Sequence, residues 1–236
     1  MQLKLEKFWA GGMSSKLIIR PGTVADVDAV QVIANDAKTL PFLGGFTMRD
    51  QLIGLYQANE KFPYHVVAEL DGQVVGFSDS KNKNLSYTEY DLVAIKTDLR
   101  RQRIGTAMYT YHLLKSAMAG KVFMRDQTIH FNTVMQDGYL PYFGFDHIAG
   151  LRSKVRNFST LNWWIKYISE ETMVDFTKKT LASEHKVVFQ GLEEAFGSCL
   201  LDEFNRAIEA VEDPLELSVL ADNRSLALAL IQGLKN

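Results

Sequence analysis

Residues 65–78 constrain the fold more than any other stretch of the chain. His65 to Leu70 and Gln73 to Ser78 are alternating or apolar runs on either side of Asp71-Gly72, a dipeptide that accepts the positive φ angles of a two-residue turn, so the spacing predicts an antiparallel hairpin. A further strand is expected from about Tyr87 to Ile95, followed by a helix that runs to about Met118. Upstream, Leu17 to Arg20 predicts an opening strand. Thr23 with Asp26 resembles a capping box that starts a helix through Ala37. Gly44 and Gly45 and the segment to Phe62 read as a looser helical stretch with loops, and Phe145 to Leu151 with Leu161 to Ile168 reads as a closing hairpin.

The chain has 236 residues, of which 47% are hydrophobic and 23% charged, a balance that excludes disorder and fits one large globular domain or about one and a half. Its net charge of -2 argues against a general binder of nucleic acid, which needs a visible Lys/Arg excess. Cys199 is the one cysteine, so neither an internal disulfide nor a structural zinc site is expected, and a reducing cytoplasm fits. The first dozen residues lack the apolar core of a signal peptide, and no 18-residue apolar run suggests a membrane span. Charge divides the sequence: residues 1–169 hold 20 Lys/Arg against 15 Asp/Glu, and residues 170–236 hold 6 against 13. The expected organisation is an extension over 1–15, with a flexible joint at Gly11, Gly12, Ser14 and Ser15, a mixed domain over 16–168, and an acidic helical region over 169–236 broken at Asp213-Pro214.

The most informative stretch is Leu99-Arg100-Arg101-Gln102-Arg103-Ile104-Gly105-Thr106-Ala107, which lies between a strand and a helix. Small residues there let the backbone approach an anion, the first N–H groups of the helix lack intrahelical partners, and the helix dipole favours negative charge. With that strand-to-helix junction, the sequence resembles the GNAT acyltransferase superfamily, whose signature is (Q/R)xxGx(G/A). Two registers are open. One puts Arg100 at the first position, Arg103 where the first glycine belongs and Gly105 last; the other reads Gln102 to Ala107. The flanks favour the first. Downstream, the family pattern places an Asn seven residues before a Tyr that is followed by Gly-Phe. Asn132 and Tyr139 fit it, with Gly144-Phe145 one residue late, as though residues 140–143 carried an insertion.

The resemblance covers about residues 16–168 and implies an α/β (α+β) fold, with a mixed, mostly antiparallel central sheet flanked by helices and a C-terminal helical appendage. It implies an acetyl-CoA-dependent N-acetyltransferase acting by direct attack of a primary amine, carried by a small molecule or a protein, with no metal. In that reading Arg100, Arg101, Gln102, Arg103, Ile104, Gly105, Thr106 and Ala107 hold the pyrophosphate, Asn132 steadies the pantetheine arm, and an N–H near Ile95 polarises the thioester. Tyr139, with Tyr142 as second choice, protonates the leaving thiolate. Glu89 receives the amine proton, and Asp91, which shares its strand face with Glu89 and Val93, is the nearby substitute. Two further readings are a GNAT-like sensor that binds coenzyme A without turnover and an acyltransferase acting on nucleic acid. His130 and His147 are read as structural and Cys199 as core. One of Trp163 and Trp164 is expected to be exposed or covered by the tail, which itself packs on its own domain or closes a homodimer.

Overall fold

A computed structural model describes residues 15–36, 38–43, 48–58, 65–129, 132–152, 160–192 and 197–234. The expected N-terminal extension up to Ser14, Gly44 and Gly45, Ala37, Phe62 and His130 lie outside the described residues. In chain order the elements are β1 (Lys16–Pro21), α1 (Val27–Ala34), α2 (Leu40–Leu43), α3 (Arg49–Ala58), β2 (His65–Leu70), β3 (Gln73–Asn82), β4 (Tyr87–Ile95), α4 (Ile104–Met118) and β5 (Phe123–Ile129). There follow a π-helical turn Val134–Tyr139 that runs into α5 (Leu140–Tyr142), then β6 (Asp146–Arg152), β7 (Thr160–Tyr167), α6 (Glu170–Leu181), β8 (Lys186–Phe189), α7 (Gly197–Glu209) and α8 (Pro214–Gly233).

Eight strands form one sheet in the order β6-β7-β5-β4-β3-β2-β1-β8, antiparallel except for β4 beside β5 and β1 beside β8. The Asp71-Gly72 turn carries the expected positive φ angles, 48° and 83°, and sets the β2–β3 register from Leu70↔Gln73 onward. At the start of the first helix, Asp26 accepts from the Thr23 N–H at 2.8 Å and takes both Arg20 Nη atoms, at 2.8 and 2.9 Å. The chain makes a 3-10 turn over Val24–Asp26 before α1, and the helix ends at Ala34 rather than running to Ala37.

One expectation is corrected. Residues 170–236 are not helical throughout, because Lys186–Phe189 pairs in parallel with β1 from Lys16↔Lys186 to Ile19↔Phe189. Four residues are too few to display a two-residue period in the sequence. The Lys16–Phe189 ladder therefore builds the tail into the sheet edge, and α6 and α8 pack over α4.

All fifteen residues of α4 are buried as a result. Met108, His112 and Lys115 meet β3 at Gly76, Ser78 and Ser80 on one side, and on the other Thr110 bonds to the Phe176 carbonyl and Thr180 of α6. The opposite face of the sheet carries a second core, in which Val27, Val30, Leu52 and Tyr56 cover Val67, Phe77 and Ala94. Neither tryptophan is exposed: both are half-buried, Trp163 under the Arg125 guanidinium at 4.4 Å and Trp164 donating to Thr128 Oγ1 at 3.2 Å. Cys199 packs against the main core, and burial raises its thiol pKa. His147 is exposed beside Trp164. Among the described residues no helix is long and apolar enough to cross a membrane.

Candidate active site

The site begins where β4 and β5 part. Their parallel ladder runs from Tyr87↔Phe123 to Tyr90↔Asp126 and stops, leaving a cleft of about 490 Å³, counted with its open mouth. Tyr90, Val93, Asp126, Thr128, Asn132 and Met135 are among its lining residues. On the other edge of β4 the register jumps from Asp79↔Leu92 to Ser80↔Tyr90, so Asp91 is an extra residue in a β-bulge. The bulge reverses the alternation. Tyr90 and Val93 both pack on the α4 side while Leu92 and Ala94 join the opposite core, so Glu89 and Val93 do not share the face that strict alternation predicts. Lys96 N–H donates to Val75 carbonyl, and by the alternation of an antiparallel ladder the neighbouring Ile95 N–H points away from β3, toward the cleft side.

After β4 the chain makes a 3-10 turn, Thr97–Leu99, and reaches α4 through a strained corner. Arg101 and Arg103 both adopt left-handed backbone, with φ of 69° and 62°. Arg103, which falls where the first glycine belongs in the first register, thus holds as a non-glycine residue a conformation that favours glycine. That conformation costs a side-chain-bearing residue about 1 kcal/mol. We expect Arg103→Gly to unfold at higher denaturant than Arg103→Ala, by about 1 kcal/mol, since only glycine relieves the corner. Equal midpoints would show that the corner carries no strain.

Three N–H groups, those of Ile104, Gly105 and Thr106, open the helix without intrahelical partners. The Ala107 N–H already donates to the Arg103 carbonyl at 3.0 Å, so it leaves the expected anion-binding set. Most of the loop's polar side chains are committed within the protein. Arg100 donates to the Ile95 carbonyl and Thr39 Oγ1, at 3.3 and 3.0 Å. Gln102 Oε1 meets His185 Nε2 at 3.0 Å, and Arg103 Nη1 donates to Tyr142 Oη and the Lys179 carbonyl, both at 3.2 Å. Arg101 is exposed and has no side-chain partner among the described residues, which leaves it available to a phosphate.

Downstream, the π-helical turn Val134–Tyr139 absorbs the extra residue that the sequence pattern puts at 140–143, since a π-turn takes one more residue than an α-turn. Leu140 falls into the core and is fully buried, while the Tyr139 ring stands edge-on to Tyr109 and Phe143 at 5.1 and 5.0 Å. Its hydroxyl is buried beside Gly105: a Cβ built on that glycine would lie 2.8 Å from Tyr139 Oη and 3.2 Å from Ile95 Cδ1. Burial holds the Tyr139 phenol well above its usual pKa, with the Asp126 charge acting in the same direction. Tyr142 is 46% exposed, and its ring lies under Lys179 Nζ at 4.5 Å, away from the cleft lining.

Glu89 stands at the closed end of the β4–β5 ladder, in register with Arg125. Its carboxylate is 4% exposed overall and takes an ion pair from Arg125, another from Lys83 at 3.0 Å, and a hydrogen bond from Gln127 at 2.9 Å. A carboxylate so paired has the surroundings of an ion cluster, and it is not among the residues that line the cleft. Asp91 does line the cleft and is paired with Lys81. Asp126 and Tyr90, which line the cleft, escaped the sequence reading, as did Tyr109 behind them: Tyr109 donates to Asp126 Oδ2, and the Tyr90 and Tyr109 rings are 3.7 Å apart between centroids. Their signal was Asp126 and Thr128 alternating with Met124 on the inward face of β5, polar groups where an ordinary core strand has none.

Residues 33–131 match the family described as Acetyltransferase (GNAT) family. No curated protein sequence matches the chain. Among solved structures, Ard1 from Thermoplasma volcanium is 21% identical with a TM-score of 0.56, the match covering 65% of this chain and 99% of that one. The putative acetyltransferase yncA from Salmonella typhimurium, solved with its cofactor acetyl-CoA, is 18% identical with a TM-score of 0.55 over 65% of this chain and 95% of its own. The paia N-acetyltransferase from Thermoplasma acidophilum, in complex with coenzyme A, is 14% identical with a TM-score of 0.52 over 63% and 98%. These likenesses show a common fold.

Proposed function

We propose that this chain, which carries a GNAT acetyltransferase domain at residues 33–131, transfers an acetyl group from acetyl-CoA to a primary amine in a ternary complex in the cytoplasm. The observation that carries the reading is that the buried Tyr139 hydroxyl rests on Gly105 at the uncapped α4 N-terminus, beside Ile95 at the end of the strand whose edge parts from β5. The donor supplies a thioester already activated toward attack by nitrogen. The N–H groups of Ile104, Gly105 and Thr106, with Arg101, hold its pyrophosphate. Asn132, on the cleft wall, steadies the pantetheine arm. The Ile95 N–H meets the thioester oxygen as negative charge builds on it. Tyr139, kept protonated by burial, gives its proton to the departing sulfur.

Tyr139→Phe removes that proton donor while leaving the ring edge-on to Tyr109. The expected result is a fall in kcat of about 10²-fold or more, with acetyl-CoA Kd within a factor of about two to three. A kcat unchanged in amine-dependent thiol release would take the acid role from Tyr139. Binding with no turnover by wild type toward any amine would favour the sensor reading.

A further inference from the structure

We infer that Asp126 is the group that takes the proton from the acceptor amine. The inference rests on the acetyl-transfer reading and names a role in the same cleft. The argument is one of elimination on geometry. An ammonium cannot attack a thioester until it loses a proton, so a base must face the cleft. Two carboxylates line it, Asp91 and Asp126. Asp91 is ion-paired with Lys81, and the third nearby carboxylate, Glu89, is paired with Arg125 and Lys83. Asp126 is the one lining carboxylate with no cationic partner among the described residues. It is 3% exposed and occupies the last rung of the β4–β5 ladder, opposite Tyr90, at the point where the strands part.

The groups facing it are phenols and acids. Tyr109 of α4 donates to its Oδ2, the Tyr90 hydroxyl is buried and makes no well-formed hydrogen bond, the Tyr139 ring packs on Tyr109, and Asp91 and Glu89 add negative charge from β4. Burial first, and those carboxylates after it, push the Asp126 carboxyl up to about 7, against the Tyr109 and Gln127 hydrogen bonds, which pull it down. An acid of that strength is half ionised at neutral pH, where a general base works best.

The protons balance. Asp126 accepts one from the incoming ammonium. The free amine attacks the acetyl carbon, the carbon–sulfur bond breaks, and sulfur takes a proton from Tyr139. The acetylated nitrogen returns its surplus proton to Tyr139, and Asp126 sheds its own to solvent as product leaves, so each cycle yields amide, free thiol and one proton.

Asp126→Asn keeps the shape of the side chain and the Tyr109 hydrogen bond. The test has two arms, run on the full chain. In the first, protein with ¹³Cγ-labelled aspartate is titrated by NMR, and the resonance absent from Asp126→Asn identifies the group. It is expected to titrate between about pH 6 and 8, and Tyr109→Phe is expected to move it upward by removing a donor to the charged form. A resonance titrating near the ordinary value of about 4 overturns the inference whatever the acceptor is.

In the second arm, thiol release from acetyl-CoA is followed with ethanolamine and spermidine as acceptors. Wild-type kcat/KM should rise with pH through a limb near 7, and Asp126→Asn should fall at least about 100-fold and lose that limb, with acetyl-CoA Kd within about twofold of wild type. A merely structural Asp126 would lower the rate and leave the limb in place. Failure of wild type to bind acetyl-CoA sinks the functional reading instead; binding and turnover with the limb intact in Asp126→Asn sinks this one alone.

Discussion

Gly105→Glu is expected to leave a folded protein that no longer binds acetyl-CoA, with Kd weakened at least about 100-fold in calorimetric titration. The physical reason lies at the helix start. Gly105 supplies the middle of three unpartnered N–H groups for the pyrophosphate, while its bare Cα makes room for Tyr139 and Ile95. A glutamate there forces its chain between Tyr139 and Ile95 and brings a negative charge to the helix start that the anion needs. Gly105→Ala separates the two roles of the position. Its Cβ would meet Tyr139 Oη at 2.8 Å and Ile95 Cδ1 at 3.2 Å, both closer than ordinary contact, so the tyrosine must shift while the phosphate contacts persist. Calorimetry and thiol-release kinetics on the alanine variant should therefore show Kd within about threefold of wild type and kcat reduced about tenfold or more, the scale of effect a small displacement of a catalytic group has. A glutamate variant that binds acetyl-CoA like wild type would remove the α4 N-terminus from the site.

The second large effect is on stability, at Lys115. This lysine is 1% exposed in the middle of α4 and donates to Ser80 Oγ. Burial holds its ammonium down to about 7, only partly offset by the Asp79 charge. The folded protein therefore sheds this proton near neutrality, whereas the unfolded chain keeps it to about 10.5. Between those values the unfolded state binds more protons, so this residue's cost is full below about pH 7 and fades as pH rises toward 10.5. Lys115→Met keeps the length and removes the charge. At pH 6 it should stabilise the fold by about 2 kcal/mol, after the loss of the Ser80 contact, and raise Tm by about 5 °C, the gain shrinking toward pH 10. Scanning calorimetry at the two pH values checks it. A gain that grows with pH, or a loss at both, would contradict the assignment of a buried ammonium as a destabilising group.

Much of the fold was legible because its signals are local. The Asp71-Gly72 turn, the run Tyr87 to Ile95 and the helix to Met118 all appear where spacing and turn chemistry put them. The resemblance carried by Gly105, Asn132 and Tyr139 supplied the fold class, and the family match over residues 33–131 agrees with it. What escaped depends on long-range packing. Lys186–Phe189 becomes a strand only because β1 offers an edge beside it.

The bulge at Asp91 is invisible in a sequence whose alternation looks regular, yet it turns the chain over, and with it the face on which each carboxylate sits. Glu89 has the composition of a base and the surroundings of an ion cluster, a distinction made by Arg125 and Lys83 from other parts of the chain. Asp126 looked like one more polar residue on a strand until the parting of β4 from β5 opened space beside it. The left-handed corner at Arg103 is likewise unreadable in the sequence, since an arginine is not a residue type that marks positive φ.

The central claim is that one cleft, between parted strands and under a buried phenol, holds the acetyl donor. A crystal structure of the full chain grown with coenzyme A tests it most directly. The account predicts pyrophosphate on the N–H groups of Ile104, Gly105 and Thr106, the pantetheine arm along Asn132 between β4 and β5, and sulfur beside Tyr139 Oη. Coenzyme A bound at another place, or a cleft left empty at saturating ligand, would contradict it.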